Sequence, residues 1–369
     1  MLSGNHMTAA GKYDSFYYML EEFSQYWDRV DIICASAPGA KAQTLFGNIH
    51  LHPSSWPKIF QPLYILWKGL CLSRHRHYDL MTVHEYAPFL HGMGGYLLTR
   101  FRKIPFISEF HHIEGYPIAA NWVEKLRLKL SQGYVGFIAK YALGIRVVNR
   151  FEVPEFLIRH GVPKQMIHHV DSFHIRLTDF CPADGIKKKY DVVYCGRLVA
   201  NKGLHILVEA IEILKTKSPS ISLLLIGEGP LRAELEAQIA KLNLAENITF
   251  WGWADNTAEI ASLYRQSRVF ALPSFAEGGP KTPIEAMATG IPVVVTSVGL
   301  MKEIIRDGEN GFIVGWSAND FASRIDELLS DPALYERLSR AGHETAQAYG
   351  IVPIVRNYAL KYQKLVQPV

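Results

Sequence analysis

The chain has few features of a secreted, metal-binding or membrane-spanning protein. Its four cysteines are scattered and form no CxxC pair: Cys34, Cys71, Cys181 and Cys195. This pattern predicts reduced thiols in a cytoplasmic protein, with neither a disulfide framework nor a zinc site. No apolar run reaches about 18 residues, so the sequence predicts no membrane-spanning helix. The start, MLSGNHMTAAGKYD, lacks the basic and apolar regions of a signal peptide.

The density of basic residues is also too low to predict nucleic-acid binding, since no dense basic stripe or known nucleic-acid motif occurs. The charge is uneven, however. Residues 1–180 hold 19 Lys+Arg against 14 Asp+Glu, and 13 of the 15 histidines. A mildly basic first half predicts an anionic ligand or surface nearby. The length of 369 residues and the apolar fraction of 49% predict a globular protein of about two domains.

Strand and helix patterns alternate in the first half. We expect the end of a first strand at 2–3, which suggests a truncated start, and further strands at 29–35, 79–84, 105–110, 144–148 and 166–170. Helices are expected at 13–27, 53–76, 88–102, 121–142 and 153–160. Residues 37–52 are expected to form a loop with at most one short strand.

Composition changes near residues 180–189, where turn residues and a lysine run predict a linker. The expected strands that follow are 191–195, 222–226, 248–251, 269–272 and 292–296. The expected helices are 203–216, 230–242, 257–265, 331–349 and 353–366. The sequence therefore predicts two Rossmann-like, doubly wound α/β domains, 1–182 and 183–350, with parallel sheets facing a central cleft. The last helix, within 351–369, is expected to pack back on the N-terminal domain.

The stretch 271–285, ALPSFAEGGPKTPIE, combines a strand end, a glycine turn and two carboxylates. Gly278, Gly279 and Pro280 stand between Glu277 and Glu285. Glycines at a strand end let backbone N–H groups approach a phosphate closely, and the carboxylates can accept from hydroxyl groups. These features suit a sugar nucleotide. The alternative is a solvated acidic turn followed by an ordinary helix.

Two further strand ends carry candidate ligand-binding residues. Arg197 and Lys202, in CGRLVANKG, are two cations five residues apart that can reach one diphosphate. Gly227, Glu228 and Gly229 precede a proline in GEGP, which is typical of a turn from strand to helix. Taken alone, either motif also fits an ordinary exposed loop.

Together these motifs resemble the family 4 retaining glycosyltransferases, which have the GT-B fold. The E-x7-E signature is present as Glu277 and Glu285, and EAMATGIPV at 285–293 and DGENG at 307–311 follow it in order. The resemblance covers nearly all of residues 190–350. Over residues 1–180 it depends on the order of the elements and a few positions.

The resemblance implies a role for each motif residue. Arg197 and Lys202 would bind the donor's diphosphate and stabilise it as a leaving group in place of a metal ion. The absence of any D-x-D sequence agrees with metal-independent transfer. Glu285 would accept hydrogen bonds from the nucleotide ribose, and Glu277 would contact hydroxyls of the donor sugar. Backbone N–H groups after Gly278 would contact its phosphate and sugar.

The remaining implied contacts lie on both halves of the chain. Residues near Gly227, Glu228 and 251–253, with Trp253 among them, would flank the base. His111, in PFISEFHH, matches the histidine that this family places against the donor sugar, although His112 stands where Gly or Asp is more usual. Gly11 falls near the family's glycine-rich first loop, with Gly11-Lys12 in place of the usual glycine pair.

The predicted function is retaining transfer of a hexose-type sugar from a UDP-, GDP- or ADP-linked donor to a carbohydrate or lipid-linked acceptor, with no metal or other cofactor. Two alternatives stay open: a GT-B sugar-nucleotide epimerase, which the E-x7-E signature disfavours, and a non-catalytic nucleotide-sugar-binding protein. The intact donor residues favour the enzyme.

A second hypothesis places the chain peripherally on an anionic membrane surface. Aromatic and basic residues cluster in two stretches, Trp56, Tyr64, Trp67, Lys68, Arg74 and Arg76 in one, and Trp122, Lys125, Arg127 and Lys129 in the other. The alternative is that the aromatic side chains pack on the sheet and the charges face solvent.

Overall fold

The structure is a computed structural model that describes residues 1–5, 7–12, 14–35, 38–171 and 173–366. The chain divides into two units. Unit 1 comprises Met1–Glu114, Lys125–Phe173 and the chain from Ile351 onward, and unit 2 comprises Gly115–Glu124 and His174–Gly350. The division falls at residue 173 rather than 182 because the segment after it bonds within unit 2. There the Asp179 carboxylate accepts from the Thr257 hydroxyl at 2.8 Å.

Unit 1 is built on an eight-stranded sheet. Its strands are β1 (Leu2–Ser3), β2 (Val30–Cys34), β3 (Gln43–Leu45), β4 (Ile49–Pro53), β5 (Met81–His84), β6 (Phe106–Phe110), β7 (Gly144–Val147) and β8 (Ile167–His169). The order is β3-β4-β2-β1-β5-β6-β7-β8, and every pair is parallel except β3–β4. The helices between them are α1 (Ser15–Phe23), α2 (Gln61–Leu72), α3 (Leu90–Arg102), α4 (Trp122–Ile138) and α5 (Glu152–Arg159).

The expectation of a loop with at most one strand at residues 37–52 was wrong. β3 and β4 form an antiparallel hairpin in which Leu45 pairs with Ile49. The turn residues Phe46 and Gly47 have φ angles of 51° and 81°. A hairpin turn of this kind normally places Asn, Asp or Gly at positive φ, so a phenylalanine there gave no recognisable turn signal.

Unit 2 is built on a six-stranded, all-parallel sheet. Its strands are β9 (Tyr190–Cys195), β10 (Leu223–Ile226), β11 (Ile248–Gly252), β12 (Ser267–Leu272), β13 (Val293–Thr296) and β14 (Phe312–Val314), in the order β11-β10-β9-β12-β13-β14. The helices are α6 (Leu204–Lys215), α7 (Arg232–Lys241), α8 (Thr257–Arg265), α9 (Thr282–Ala288), α10 (Met301–Ile304), α11 (Ala318–Ser330) and α12 (Pro332–Ala346). The central strands are apolar runs buried on both faces, as parallel strands covered by helices require. The expected pair of parallel-sheet α/β units is therefore confirmed.

The last helix, α13 (Ile351–Val366), follows unit 2 in sequence and belongs to unit 1. Its buried side chains Val355, Tyr358 and Tyr362 join the core around α1, where Phe23 packs 5.1 Å from the Tyr358 ring. Among the helices that the structure describes, none combines the length and the apolar character needed to cross a bilayer.

Candidate functional site

In unit 2 the candidate residues lie where the strand order reverses. β9 has β10 on one side and β12 on the other, so the loops that leave β9 and β12 diverge at the carboxyl end of the sheet. Ligands of open parallel sheets bind at such a switch point. The loop after β9 carries Arg197 and Lys202, and the loop after β12 carries Glu277 and the glycine turn.

Backbone contacts fasten these two loops together. The Phe275 N–H donates to the Asn201 carbonyl at 2.8 Å, and the Asn201 side-chain amide donates to the Ala276 carbonyl at 3.1 Å. Gly203 has a φ of 62°, and a Cβ there would lie 2.2 Å from the Pro273 carbonyl oxygen. Only glycine fits this contact, so the turn that precedes it is held directly against the loop after β12.

This fastening brings Lys202 and Glu277 together as an ion pair. Lys202 Nζ donates to Glu277 Oε1, and the Ser274 hydroxyl donates to the same oxygen at 2.8 Å. The two charged side chains are 15% and 12% exposed, so solvent ions screen the pair less than a surface pair. The cation expected at the diphosphate and the carboxylate expected at the sugar hydroxyls are therefore neighbours.

Arg197 lies in the same loop as Lys202, directly after β9. Its side chain is exposed, and its carbonyl accepts from the Tyr194 hydroxyl at 3.0 Å. Burial raises the pKa of Tyr194 well above its ordinary value; the Glu277 charge raises it further and the Arg197 charge opposes it. The charges of Glu277 and Arg197 both affect the pKa of the buried Tyr194 hydroxyl, so both charges lie close to the end of β9.

Glu285 lies half-buried on α9, the helix that follows the glycine turn. Burial raises the pKa of its carboxyl to about 7, and the nearby Lys281 opposes the rise. The Cys195 thiol at the end of β9, whose own pKa burial raises to about 12, senses both Glu285 and Lys202. Glu285 therefore joins the same group of charges around β9.

The glycine turn itself is fixed by the loop after β13. The Leu300 N–H donates to the Gly278 carbonyl at 3.1 Å. At Gly299, a Cβ would lie 2.4 Å from the carbonyl oxygens of both Glu277 and Gly278, so a side chain there would displace the turn. Gly278 and Pro280 are buried, and Gly279 between them is half-buried.

The glycines after β10 have a packing reason. A Cβ on Gly227 would lie 2.0 Å from the Gly196 carbonyl oxygen, and one on Gly229 would lie 2.3 Å from that of Leu198. Glycine is thus required for contact between the loops after β9 and β10. The side chain of Glu228, between them, accepts from the Arg232 guanidinium.

The two tryptophans at the end of β11 are both on the surface. Trp251 is 43% exposed and Trp253 is 61% exposed. The Trp251 indole N–H donates to Glu259 Oε1 at 3.0 Å, whereas Trp253 presents a large apolar face to solvent. Trp253 is therefore the one of the two whose ring is more open to a ligand.

Unit 1 has a separate pocket of about 460 Å³ at the carboxyl ends of β1, β2, β5 and β6. His111 and His112 line it, as do Gly4 and Asn5 from the loop after β1. Gly11 does not line it. Gly11 ends a short 3-10 turn with a φ of 81°, and a Cβ there would touch nothing.

His111 presents an uncharged imidazole to this pocket. Its Nε2 is buried and has no hydrogen-bond partner in the part of the chain that the structure describes. Burial, with the charges of His84 and Arg146, lowers the pKa of His111 well below its ordinary value. The ring is half-buried and lines the pocket, so its remaining surface can contact a sugar.

Beside His111, Glu109 is the centre of a buried charge cluster. His84 Nε2 lies 2.8 Å from Glu109 Oε2, and Arg146 Nη1 lies 3.2 Å from Glu109 Oε1. The hydroxyls of Tyr358 and Tyr362 on α13 also donate to Oε1, the former at 3.0 Å. Although burial opposes it, Arg146 and His84 hold the pKa of Glu109 well below its usual range.

Glu85, which also lines the pocket, is the opposite case. It is a buried carboxyl whose Oε1 accepts from the hydroxyls of Ser108 at 2.7 Å and Tyr134 at 2.9 Å. Burial raises the pKa of Glu85 to about 8, and the Glu109 charge adds to the rise. At neutral pH the pocket thus contains one ionised and one protonated glutamate.

Comparison with known proteins identifies the family. Residues 182–345 match the family described as Glycosyl transferases group 1. A D-inositol 3-phosphate glycosyltransferase of Arthrobacter sp. (strain FB24) is 32% identical over 301 residues, which are 75% of this chain and 68% of that protein. The chain belongs to the group 1 glycosyltransferases.

A second relative of this glycosyltransferase is matched only in part. The lipopolysaccharide core biosynthesis glycosyltransferase LpsE of Rhizobium meliloti is 35% identical over 155 residues, which are 42% of this chain. The match spans 44% of LpsE, less than half of its length.

Solved structures confirm the predicted GT-B fold. Sucrose-phosphate synthase from Thermosynechococcus elongatus superposes with a TM-score of 0.79 at 22% identity, covering 95% of this chain and 92% of that one. Anabaena HepE, solved in complex with UDP and glucose, gives a TM-score of 0.77 at 17% identity and covers 98% of both chains.

Sequence reasoning missed the Glu109 cluster of this glycosyltransferase, although a signal was present. Glu109 and Arg146 are charged residues inside the apolar strands FISEF and GIRVV. The strand register places His84 opposite Glu109, and Glu109 opposite Arg146. Charges buried in neighbouring strands need a partner, so aligning β5, β6 and β7 would have predicted the cluster.

The same cluster contains three potential metal ligands. Ligand atoms of His84, Glu109 and His111 lie within 4.8 Å of one another. However, the Arg146 guanidinium and two tyrosine hydroxyls already stabilise the Glu109 carboxylate. A positive charge at 3.2 Å opposes a second cation, so the geometry fits an internal ion pair better than a metal site.

Proposed function

We propose that this glycosyltransferase moves a hexose-type sugar from a nucleotide-diphosphate sugar to an acceptor hydroxyl, with retention of configuration and without a metal ion. The observation that carries the proposal is the Lys202–Glu277 pair beside Arg197 at the end of β9. Two cations suit a diphosphate, and a carboxylate suits the hydroxyls of the attached sugar. The complex of the structural neighbour Anabaena HepE with UDP-glucose supports a nucleotide-sugar donor and favours a UDP-linked one, with GDP- and ADP-sugars as the alternatives.

The proposed reaction is a displacement on one face of the donor sugar. The bond between the anomeric carbon and the diphosphate oxygen breaks, and a bond from that carbon to the acceptor oxygen forms. The acceptor's hydroxyl proton passes to the departing diphosphate oxygen. Arg197 and Lys202 stabilise the negative charge that develops on the diphosphate. Such preorganised charges lower the energy of the transition state.

The other candidate residues hold the donor and acceptor in this proposal. Glu285 accepts from the ribose, the turn at Gly278 and Gly279 contacts phosphate and sugar, and Trp253 flanks the base. His111 contacts the donor sugar. The acceptor is a carbohydrate or lipid-linked hydroxyl compound, in keeping with relatives named for lipopolysaccharide core and inositol phosphate substrates.

The test replaces the two cations. In Lys202→Ala, Glu277 loses its ion pair and keeps the Ser274 hydroxyl, and the departing diphosphate loses a stabilising cation. We expect kcat to fall about 10²–10³-fold, the range seen when one preorganised stabilising donor is removed. Arg197→Ala should fall comparably. Turnover is measured against a panel of UDP-, GDP- and ADP-sugars, and the anomeric configuration of the product is determined by NMR.

Lys217→Ala is the matched control, because Lys217 also pairs with a carboxylate, that of Asp326, but on the exposed surface of unit 2. It should retain wild-type turnover. Wild-type rates in both Lys202→Ala and Arg197→Ala would refute the assignment. Donor binding without turnover in the wild-type chain would favour the non-catalytic alternative, and inactivation by a chelator would contradict metal-independent transfer.

A further inference from the structure

The segment from Trp56 to Trp67 leaves an unusual amount of apolar surface uncovered. We call this the α2 surface and define it by Trp56, Ile59, Phe60, Leu63 and Trp67. Their exposed fractions are 37%, 74%, 49%, 51% and 51%. The rings of Trp56 and Trp67 are stacked, with centroids 6.1 Å apart and planes at 17°. Contiguous apolar surface of this kind marks an interaction site.

The other face of α2 explains why these side chains are not needed for the core of unit 1. Tyr64 and Ile65 are buried, and a Cβ on Gly69 would lie 2.4 Å from the Leu98 side chain of α3. A Cβ on Gly94 of α3 would likewise lie 2.9 Å from Ile65. α2 and α3 are thus packed closely, and the exposed side chains of the α2 surface lie outside that contact.

The segment of the chain that carries the α2 surface has lysines and arginines but no carboxylates. Residues 32–78 contain no Asp or Glu, while they contain five basic residues, Lys41, Lys58, Lys68, Arg74 and Arg76. Lys58 immediately precedes Ile59, and Lys68 immediately follows Trp67. Exposed tryptophan, leucine and isoleucine side chains with lysines beside them are what the interface of an anionic bilayer attracts.

We propose that the α2 surface docks this chain on a bilayer with anionic headgroups. The apolar side chains enter the boundary between headgroups and acyl chains, the two tryptophan rings lie at the headgroup level, and the lysines and arginines contact phosphate groups. Tyr64, which the sequence placed among the membrane-facing aromatics, lies in the core with 5% exposure and has no part in this contact.

The charge pattern favours a bilayer over a second copy of the chain. In a twofold-symmetric dimer, the α2 surface would meet itself, and the lysines beside it would meet a segment, residues 32–78, that contains no carboxylate to pair with them. An anionic lipid surface supplies negative charge to these lysines. The bilayer is therefore the partner that satisfies both the apolar and the charged side chains.

Docking through the α2 surface would also fix the position of the unit 1 pocket relative to the bilayer. Lys58 lines that pocket, and the next two residues, Ile59 and Phe60, belong to the α2 surface. A docked chain therefore holds the pocket beside the headgroups. This placement suits an acceptor carried on a lipid, a step that depends on the transfer activity proposed above.

The test is co-sedimentation of the full chain with phosphatidylcholine vesicles, with and without phosphatidylglycerol. We expect binding to the anionic vesicles that weakens as salt is raised. The triple change Ile59→Ser, Leu63→Ser and Trp67→Ser should lower the partition coefficient at least about tenfold, because it removes apolar area from the contact. Lys68→Gln and Arg74→Gln should each lower it about fivefold, the equivalent of ~1 kcal/mol per basic residue.

Ile158→Ser is the matched control, since Ile158 is 46% exposed on α5 of the same unit and lies outside the α2 surface. It should bind vesicles as the wild type does. Failure of the wild type to sediment with anionic vesicles would overturn the proposal. So would a dimer that the triple change dissociates in the absence of lipid. No donor is present in this assay, so its result is independent of whether the chain transfers sugar.

Discussion

Each unit contains an ion pair, Lys202–Glu277 in unit 2 and Arg146–Glu109 in unit 1, and the two pairs have different roles. In the part of the chain that the structure describes, Lys202 and Glu277 share one contact, and the Ser274 hydroxyl also donates to the carboxylate. Glu109, by contrast, has an arginine, a histidine and two tyrosines around it. A lightly supported pair can separate when a ligand brings its own charges, whereas a fully bonded buried one is costly to open. The first pair is suited to binding and the second to holding the fold.

Glu285 gives a prediction about pH. Burial raises the pKa of this carboxyl to about 7, so it is protonated below that pH and ionised above it. An ionised carboxylate accepts from ribose hydroxyls more strongly than a neutral acid does. We therefore expect the donor KM to fall as pH rises from about 6 to about 8, in steady-state assays with donor varied at fixed acceptor.

Glu285→Gln keeps the shape of the side chain and removes its titration. Its donor KM should be higher than that of the wild type at about pH 8 and should be nearly flat across the same range. A wild-type KM that is independent of pH, or a Gln variant that retains the full pH dependence, would contradict the role given to Glu285.

At the scale of single residues, the sequence revealed the groups whose chemistry is local. Arg197 and Glu277 follow strand ends, where turn residues and charged residues occur together, and Glu285 lies on the helix that comes next. The Glu109–Arg146 pair is different because its partners are brought together by the register of β6 and β7. Register depends on which strands are neighbours, and motif spacing along one chain does not carry that information.

At the scale of elements, the loops after β9 and β12 act as one piece. Contacts through Asn201 and Gly203 hold them together, and Lys202 lies between those two residues. The position of the Lys202 ammonium is therefore set by backbone packing and not by its own side chain alone. A substitution at Gly203 should then lower both the stability of the protein and its activity.

Gly203→Ala tests this coupling against Gly185→Ala. Both glycines have positive φ, 62° and 72°, but a Cβ at Gly185 has nothing within 4 Å. Gly185→Ala should lower the free energy of unfolding by about 1 kcal/mol, the cost of an alanine in the left-handed region. Gly203→Ala should cost clearly more, because the Cβ that it introduces cannot remain 2.2 Å from the Pro273 carbonyl oxygen.

The readouts are thermal unfolding and kcat. Only Gly203→Ala should reduce turnover, since only that change moves the turn bearing Lys202. Equal losses of stability in the two variants, with turnover unchanged in both, would mean that the fastening of the loops is not what positions the lysine.

Most elements could be predicted because their apolar periodicity is strong. The expected strands of unit 2 are short apolar runs bounded by glycine or polar residues, and each lies within two residues of the observed ends. β3 and β4 were missed because Phe46 occupies a turn position at which Asn or Gly is the usual residue. In unit 2, β14 and α11 were also missed, although Ser317 caps α11 by accepting from the Asp320 N–H at 3.4 Å. The start signal of α11 was therefore in the sequence.

At the scale of the whole molecule, the chain order and the units do not coincide. The chain leaves unit 1 after Phe173, builds most of unit 2 and returns to unit 1 at Ile351. α13 then supplies Tyr358 and Tyr362 to the Glu109 cluster. The cluster is therefore complete only when the last helix of the chain is packed in unit 1.

This dependence gives a final prediction, tested by the double change Tyr358→Phe and Tyr362→Phe. Both rings keep their packing, but the buried Glu109 carboxylate loses two hydroxyl donors. Hydrogen bonds to charged groups contribute about 1.5–3 kcal/mol each, so unit 1 should lose several kcal/mol of local stability. Amide hydrogen exchange followed by mass spectrometry should then be faster in peptides from β5 to β7 and unchanged in peptides from β9 and β10.

Leu360→Ala is the control on the same helix, because Leu360 is 43% exposed and takes no part in the cluster. Its exchange pattern should match that of the wild type. Faster exchange in both units of the double variant would indicate a loss of global stability instead of a local role for α13. Unchanged exchange in β5 to β7 would mean that Arg146 and His84 suffice to stabilise the Glu109 charge. The expected pattern, faster exchange in unit 1 alone, would establish the C-terminal helix as part of the structure that supports the pocket histidines.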